Sequence, residues 1–413
     1  MEKPLLAFAS EEPAPPAEES PAGAGSGDDS AASSANPARQ YRRQRVRLYL
    51  AEQVVDLLYL AALSLVLVRW WDWPAESGFW ARTLQVGQTT AAVLVGDWLL
   101  TLPLAWWRGF VLEHRYGLSR LSLRGWAWRQ LKIAVLGLLF STAVFTGLFW
   151  CVWWAGPGWF LLAAVAFLGV SVVLGQVVPV AILPLFYRVE RLEEAELLRR
   201  FEPLARAAGL RLEGIYRLEL SRETAKANAA LTGLGRTRRV LLSDTLLEHF
   251  GPEELEVIVA HELGHHVHRH LLKLMLFSTA GALVGFWLCD WVVFGLWPGL
   301  PGGAYTQAGP QHVPVLLLGV NVLGLLGQPL GNALSRHFER QADRYALERT
   351  GAAEAFIRAM EELARLNNTD PDPPPLEVWW LHSHPPVRQR IEMAARFQSR
   401  ASYAARAESP EEA

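Results

Sequence analysis

The run GPEELEVIVAHELGHH at residues 251–266, followed four residues later by the apolar stretch Leu271 to Leu296, decides how this chain folds. Gly251 and Pro252 open a helix, since proline has no N–H to leave unpaired at the first helical position. Glu253 and Glu254 then face the positive end of its dipole. On that helix His261 and His265 lie one turn apart, about 40° from each other around the axis, with Glu262 beside them. Two imidazoles on one face can hold a metal ion. Zinc takes neutral nitrogen ligands, keeps a position open and lowers the pKa of bound water to about 7, so a neighbouring carboxylate can accept the proton. This is the zinc-protease arrangement, and Leu271 to Leu296 is long enough to cross a bilayer. The sequence thus predicts a metal helix at a membrane surface.

Working outward, 51% of the 413 residues are hydrophobic, 19% are charged and 18 are Trp, which fits a chain that meets lipid interfaces. Six stretches are long enough to span: Leu48 to Trp70, Leu84 to Trp107, Ile133 to Trp154, Trp159 to Leu183, Leu271 to Leu296 and Val313 to Leu334. Basic residues gather before the first span (Arg39, Arg42, Arg43, Arg45, Arg47) and between the second and third (Arg108, Arg115, Arg120, Arg124, Arg129, Lys132). Both sides are therefore expected in the cytoplasm, with both termini. Ten polar residues inside the spans, Glu52, Asp56, Gln85, Gln88, Asp97, Gln176, Asp290, Asn321, Gln328 and Asn332, are expected to face other helices or a wet interior. A net charge of −2 with no large basic block argues against a nucleic-acid partner. Cys151 and Cys289 lie in apolar runs without metal spacing and read as inert buried thiols.

The expected organisation is a disordered tail over 1–40, spans one to four over 48–186 with a cytoplasmic loop at 108–132, and a first cytoplasmic part over 187–270. Spans five and six follow over 271–334, a second cytoplasmic part over 335–396 and a C-terminal tail over 397–413. The two cytoplasmic parts, separated only by a helical hairpin, can meet as one domain. Its first part predicts a helix over Glu193 to Ala208. Short alternating runs at Gly214 to Leu220 and Arg238 to Ser243, around Gly233 and Gly235, predict a small antiparallel sheet.

A catalytic zinc needs a third protein ligand, and SRHFERQAD at residues 335–343 offers Glu339 and Asp343 on one helix face. One carboxylate could reach the metal while the other accepts a hydrogen bond from a ligand imidazole. Alone, the pair would read as a solvated face matched to Arg336 or Arg340. His266, His268 and His270 fit the first pair's face poorly and are expected on the helix surface or at an interface.

The order HELGHH, an apolar hairpin, SRHFERQAD and then HSHPPVR at residues 382–388 resembles the type I CAAX prenyl protease family, integral-membrane zinc metalloproteases. EHRYGLS at 113–119, LPLF at 183–186, Asn228-Ala229-Ala230 through Gly233, and SDTLL at 243–247 extend the resemblance over about Leu48 to Arg396. It implies a mainly α fold, a polytopic bundle of about six spans carrying a cytoplasmic α+β gluzincin-type domain. Eukaryotic members have seven spans, and six is the prokaryotic-looking arrangement. It further implies that His261, His265 and Glu339 bind one zinc ion, that Glu262 is general base and proton shuttle, and that Asp343 orients a ligand. Asn228 and His384 would contact the substrate backbone near the scissile bond, with Asn228 to Gly233 as the sheet edge on which an extended substrate pairs. The implied partners are the lipid bilayer and a peptide or protein substrate such as a prenylated C-terminal segment. Two other readings compete: a heat-shock-type quality-control metalloprotease, which typically has fewer spans and no EHRYGLS-like segment, and a non-catalytic bundle, which predicts a closed four-ligand site.

Overall fold

In lipid every backbone N–H and C=O has to be paired within its own segment, so long apolar stretches become helices. The computed structural model of the chain describes residues 29–70, 78–210, 213–233, 239–296 and 305–408. Outside the described residues fall 1–28 and 409–413 of the expected tails, 71–77 and 297–304 of two loops, and Gly235 and Arg238 beside the expected strands.

Among the described residues, five helical runs are long and apolar enough to cross a membrane: Pro37–Leu67, Phe79–Arg115, Leu123–Phe186, His270–Gly295 and Pro310–Thr350. The first lies in α1 (Asp29–Trp70); the second is α2 (Phe79–Trp106), continued through a π-helical turn into α3 (Leu112–Arg115). The third run has 64 residues and would measure ~96 Å if straight, about three bilayer cores. It folds back instead. After α4 (Leu123–Ala155), Gly156 turns at φ 52°, a left-handed conformation that only a residue without Cβ adopts freely, and α5 (Trp159–Val177) packs against α4. Five runs thus make six crossings, with α6 (Leu183–Phe186) at the end of the fourth. Leu58, Leu65, Leu139, Val165 and Leu330 are exposed on these helices, as a lipid-facing surface requires. Cys151 and Cys289 are free and buried.

α1 begins at Asp29, eleven residues before the expected end of the disordered tail. Ala38 is buried, and Arg42 pairs with Asp370 and Glu377. Composition could not reveal this, because Asp370 lies 328 residues further along the chain. Several polar residues of the spans likewise tie helices together. Glu52 accepts from Arg108 Nε at 2.9 Å, Asp290 from Trp159 Nε1 at 2.7 Å, and Asn332 donates to the Trp380 carbonyl at 2.5 Å.

The polar layer is built from β1 (Val189–Arg191), α7 (Ala195–Ala207), β2 (Gly214–Leu218), β3 (Ala229–Thr232), β4 (Arg239–Ser243), α8 (Asp244–His249) and α9 (Pro252–Val267). The chain then crosses and returns as α10 (His270–Asp290) and α11 (Val313–Thr350), and ends in α12 (Ala353–Leu366), α13 (Pro375–Leu381) and α14 (Val387–Glu408). The sheet runs in the order β1-β2-β4-β3 and is mixed, which corrects the antiparallel expectation: β2 and β4 are parallel, the outer pairs antiparallel. Alternation of apolar and polar residues is the same read in either direction, so it carries no strand sense. The excursion before β3 sets it. Asp244 Oδ1 accepts from the backbone N–H groups of Leu220 and Ser221 at 2.8 and 3.0 Å, fixing where the chain leaves β2. Phe201, Ile215, Leu242, Val259, Leu263 and Phe356 fill the core between this sheet, α7, α9 and α12.

Candidate metal centre

The centre exists because α9 and α11 approach closely. A Cβ on Gly264 would sit 3.0 Å from Ala342 Cα and 3.2 Å from Tyr345 Cβ, so the glycine of HELGH sets the contact between the two helices. Gly264→Ala is therefore expected to destabilise the protein by ~1–3 kcal/mol and to lower metal content with it. A melting temperature and metal stoichiometry equal to wild type would show that the helices do not meet here.

Across that contact His261 Nε2 and His265 Nε2 lie 3.1 Å apart. Glu339 Oε2 is 3.3 Å from the first and Oε1 3.4 Å from the second. These three residues form the metal-ligand group found among the described residues. Glu339 is buried, and its Oε2 has no hydrogen-bond partner. Two ring nitrogens this close, facing a buried carboxylate, fit the charge and donor set of a zinc site. Without the metal ion, a proton takes its place. Burial alone would depress His261, but the Asp343 and Glu339 carboxylates push it up to about 10. Burial and the neighbouring His261 hold His265 down at about 4.

Asp343 is fully buried, 2.8 Å from His261 Nδ1 through Oδ1. Its two oxygens also accept a fork from Arg390, Nε at 2.9 Å and Nη2 at 2.5 Å. Burial pushes the Glu262 carboxyl above its ordinary value, and its Oε2 accepts from the Leu231 N–H at 3.3 Å. That bond orients β3. Asn228 O accepts from Ser243 N and Asn228 N donates to Ser243 Oγ, so residue 228 and its even-numbered neighbours face β4. Ala229 and Leu231 therefore present their backbone groups to the open edge, on the side of Glu262. Asn228 itself is exposed at the start of this strand. His384 sits 3.4 Å from Glu339 Oε1 and lines a cleft of about 680 Å³ that also touches Arg45, Tyr49, Arg108, Gln328 and Arg390. The EHRYGLS segment braces the approach to β3: Thr224 Oγ1 donates to Leu118 O at 2.7 Å, and Lys226 pairs with Glu113 at 2.8 Å.

Two neighbours of the centre escape the sequence pattern. Arg390 has no spacing signal, since only the fold returns α14 to Asp343. His270 was expected on a surface or interface and is instead fully buried, with its Nδ1 3.0 Å from His265 Nδ1. A break between α9 and α10, where Arg269 takes φ 54°, swings it back, and helical periodicity assumes no such break.

Comparison with known proteins agrees with this architecture. Residues 191–397 match peptidase family M48, and residues 28–188 match the model described as CAAX prenyl protease N-terminal, five membrane helices. The described residues of that second region hold four crossings. An uncharacterized metalloprotease of Bacillus subtilis, YhfN, is 30% identical over 308 residues, covering 73% of this chain and 71% of that protein. CAAX prenyl protease 1 of Saccharomyces cerevisiae is 28% identical over 310 residues, with 71% and 68% covered. The crystal structure of S. mikatae Ste24p shares the fold with a TM-score of 0.72 at 23% identity, over 88% of this chain and 89% of the other. A metal helix packed against a carboxylate helix beneath a bundle of apolar crossings thus has its place among known enzymes, and the chain belongs to peptidase family M48 as a multi-pass membrane metalloprotease.

Proposed function

We propose that the chain is a zinc endopeptidase acting at the cytoplasmic surface of a bacterial-type inner or plasma membrane, and that it trims prenylated C-terminal segments. His261, His265 and Glu339 hold the zinc, and Asp343 orients His261. The observation that carries this reading is the convergence of two imidazole nitrogens on the two oxygens of one buried carboxylate, Glu339, close to Glu262. Zinc bound there supplies Lewis acidity, polarising a scissile carbonyl and bringing the pKa of bound water to about 7. The Leu231 N–H holds Glu262 Oε2, and Oε1 takes the proton of the attacking water and returns it to the leaving amine. An extended peptide pairs with the outward N–H and C=O of Ala229 and the outward C=O of Leu231, whose N–H stays on Glu262, and this sets its scissile bond against Glu262. Asn228 and His384 donate to the substrate backbone on either side.

The cytoplasmic orientation is supported by the basic residues before the first span, since Arg42 joins Asp370 and Glu377 at the rim of the cleft that His384 lines. Likeness to the yeast CAAX prenyl protease 1 supports the substrate class. Detergent-purified protein is expected to cleave a farnesylated CAAX peptide faster than its unprenylated twin or an unfolded membrane protein. Preference for the unfolded protein would give the quality-control reading instead, and removal of zinc by a chelator without loss of cleavage would overturn the mechanism.

Zinc binding is also linked to pH. His261 is protonated up to about pH 10 without metal, while His265 is already neutral at pH 8. Calorimetry at pH 8 in buffers of different ionisation enthalpy is expected to find at least one proton released per zinc, from His261, and up to a second from the bound water whose pKa zinc brings to about 7. Release of none would remove His261 from the ligand set.

A further inference from the structure

His265 leans on a chain of side chains that runs from the buried His270 through the half-buried Gln341 to the exposed His337. Its Nδ1 lies 3.0 Å from His270 Nδ1; His270 Nε2 lies 2.9 Å from Gln341 Oε1; and Gln341 Nε2 lies 3.1 Å from His337 Nε2. These bonds have one consistent direction when His265 binds a metal through Nε2. That nitrogen must carry a lone pair, so the proton is on Nδ1 and is donated to His270 Nδ1. His270 then holds its own proton on Nε2 and donates it to the Gln341 carbonyl oxygen, and the Gln341 amide donates onward to His337. The reverse direction would put a proton on His265 Nε2, where it would displace the metal.

The surroundings hold His270 in place for this. Its ring is stacked at 4.3 Å and 10° on Phe338 and at 5.4 Å and 19° on His268, and only 1% of the residue is exposed. Its position depends on Arg269, which takes the left-handed conformation with φ 54° and ψ 38° between α9 and α10. Non-glycine residues pay for that geometry, and they keep it where surrounding contacts over-determine it. Here the outcome is a helix that ends one turn after His265 and restarts with His270 aimed back at it.

We propose that His270, backed by Gln341, is a positioning residue that fixes the tautomer and ring orientation of the metal ligand His265. This rests on the zinc reading above. The two ligands are thereby held in different ways: His261 by a carboxylate, His265 by a neutral imidazole that adds no charge to the centre.

The test measures zinc affinity by chelator competition on full-length detergent-purified wild type, His270→Phe, His270→Asn and Gln341→Met, together with visible spectra of the cobalt-substituted proteins and melting of the metal-free forms. Phe keeps the ring and removes the acceptor; Asn restores an oxygen near the place of Nδ1. His270→Phe is expected to bind zinc about 10–100-fold more weakly and to shift the cobalt bands, with Asn recovering most of both. A merely structural role would lower melting and leave the affinity and spectrum of the folded fraction unchanged. His270→Phe within twofold of wild type overturns the positioning role. Should that variant not fold, Gln341→Met decides: a loss of about 3–10-fold supports the chain and an unchanged affinity overturns it. Wild type that binds no zinc overturns this inference and the zinc reading together, whereas zinc-binding wild type with an indifferent His270 overturns only the first.

Discussion

Glu262→Gln retains zinc and loses cleavage by about 10²–10⁴-fold, the share that a positioned general base contributes. The substitution is isosteric, and the Gln carbonyl still accepts from the Leu231 N–H, so strand β3 keeps its place against the helix. None of the proposed ligand atoms is touched, since these belong to His261, His265 and Glu339. Stability should not fall. Burial raises the Glu262 carboxyl, so its ionised form opposes folding increasingly as pH rises above the unfolded value, and an amide removes that cost. The measurement is zinc stoichiometry, melting temperature and turnover of a quenched peptide, side by side with wild type. Turnover within tenfold of wild type at full zinc occupancy would take the proton-transfer role away from Glu262.

How much of this was legible in the sequence depends on whether the relevant contact is local. His261, Glu262 and His265 are separated by at most four residues on one helix, so spacing alone brings them together. Glu339 and Asp343 share a face for the same reason, but their division of labour is a tertiary fact. Asp343 is drawn to Arg390 and His261 Nδ1, which leaves Glu339 to face the two Nε2 atoms. The crossings were legible because lipid leaves helix as the option. The parallel pairing of β2 with β4 was not, since it follows from a capped excursion held by Asp244 and by the EHRYGLS segment more than 100 residues upstream of Thr224. The helical start of α1 depends on acids near the opposite end of the chain. His270 was missed for a different reason: a left-handed residue interrupts the period on which its position was projected.

The largest effect on folding is expected at Arg390. Its guanidinium closes a fork on Asp343, a carboxylate with no exposed surface, and His261 Nδ1 occupies one of the same oxygens. Arg390→Leu leaves that buried charge with only the protonated His261 beside it in the metal-free protein, and should cost up to ~3–5 kcal/mol, the usual range for removing one member of a buried pair. Arg390→Lys keeps the charge but replaces a planar fork with a single point, so partial recovery is expected. The double variant Asp343→Asn with Arg390→Leu separates stability from metal binding. It removes both charges and should regain most of the lost stability, yet it also takes the carboxylate away from His261, so zinc affinity should stay about 10–100-fold below wild type. Denaturation of the metal-free proteins reads the first effect and chelator competition the second. A double variant as unstable as Arg390→Leu would mean that Arg390 acts through packing against Phe356, which lies 5.9 Å beneath its guanidinium, and not through the charge of Asp343. Recovery of stability without recovery of affinity would assign the pair two separable tasks, holding α14 against α11 and presenting His261 to the metal.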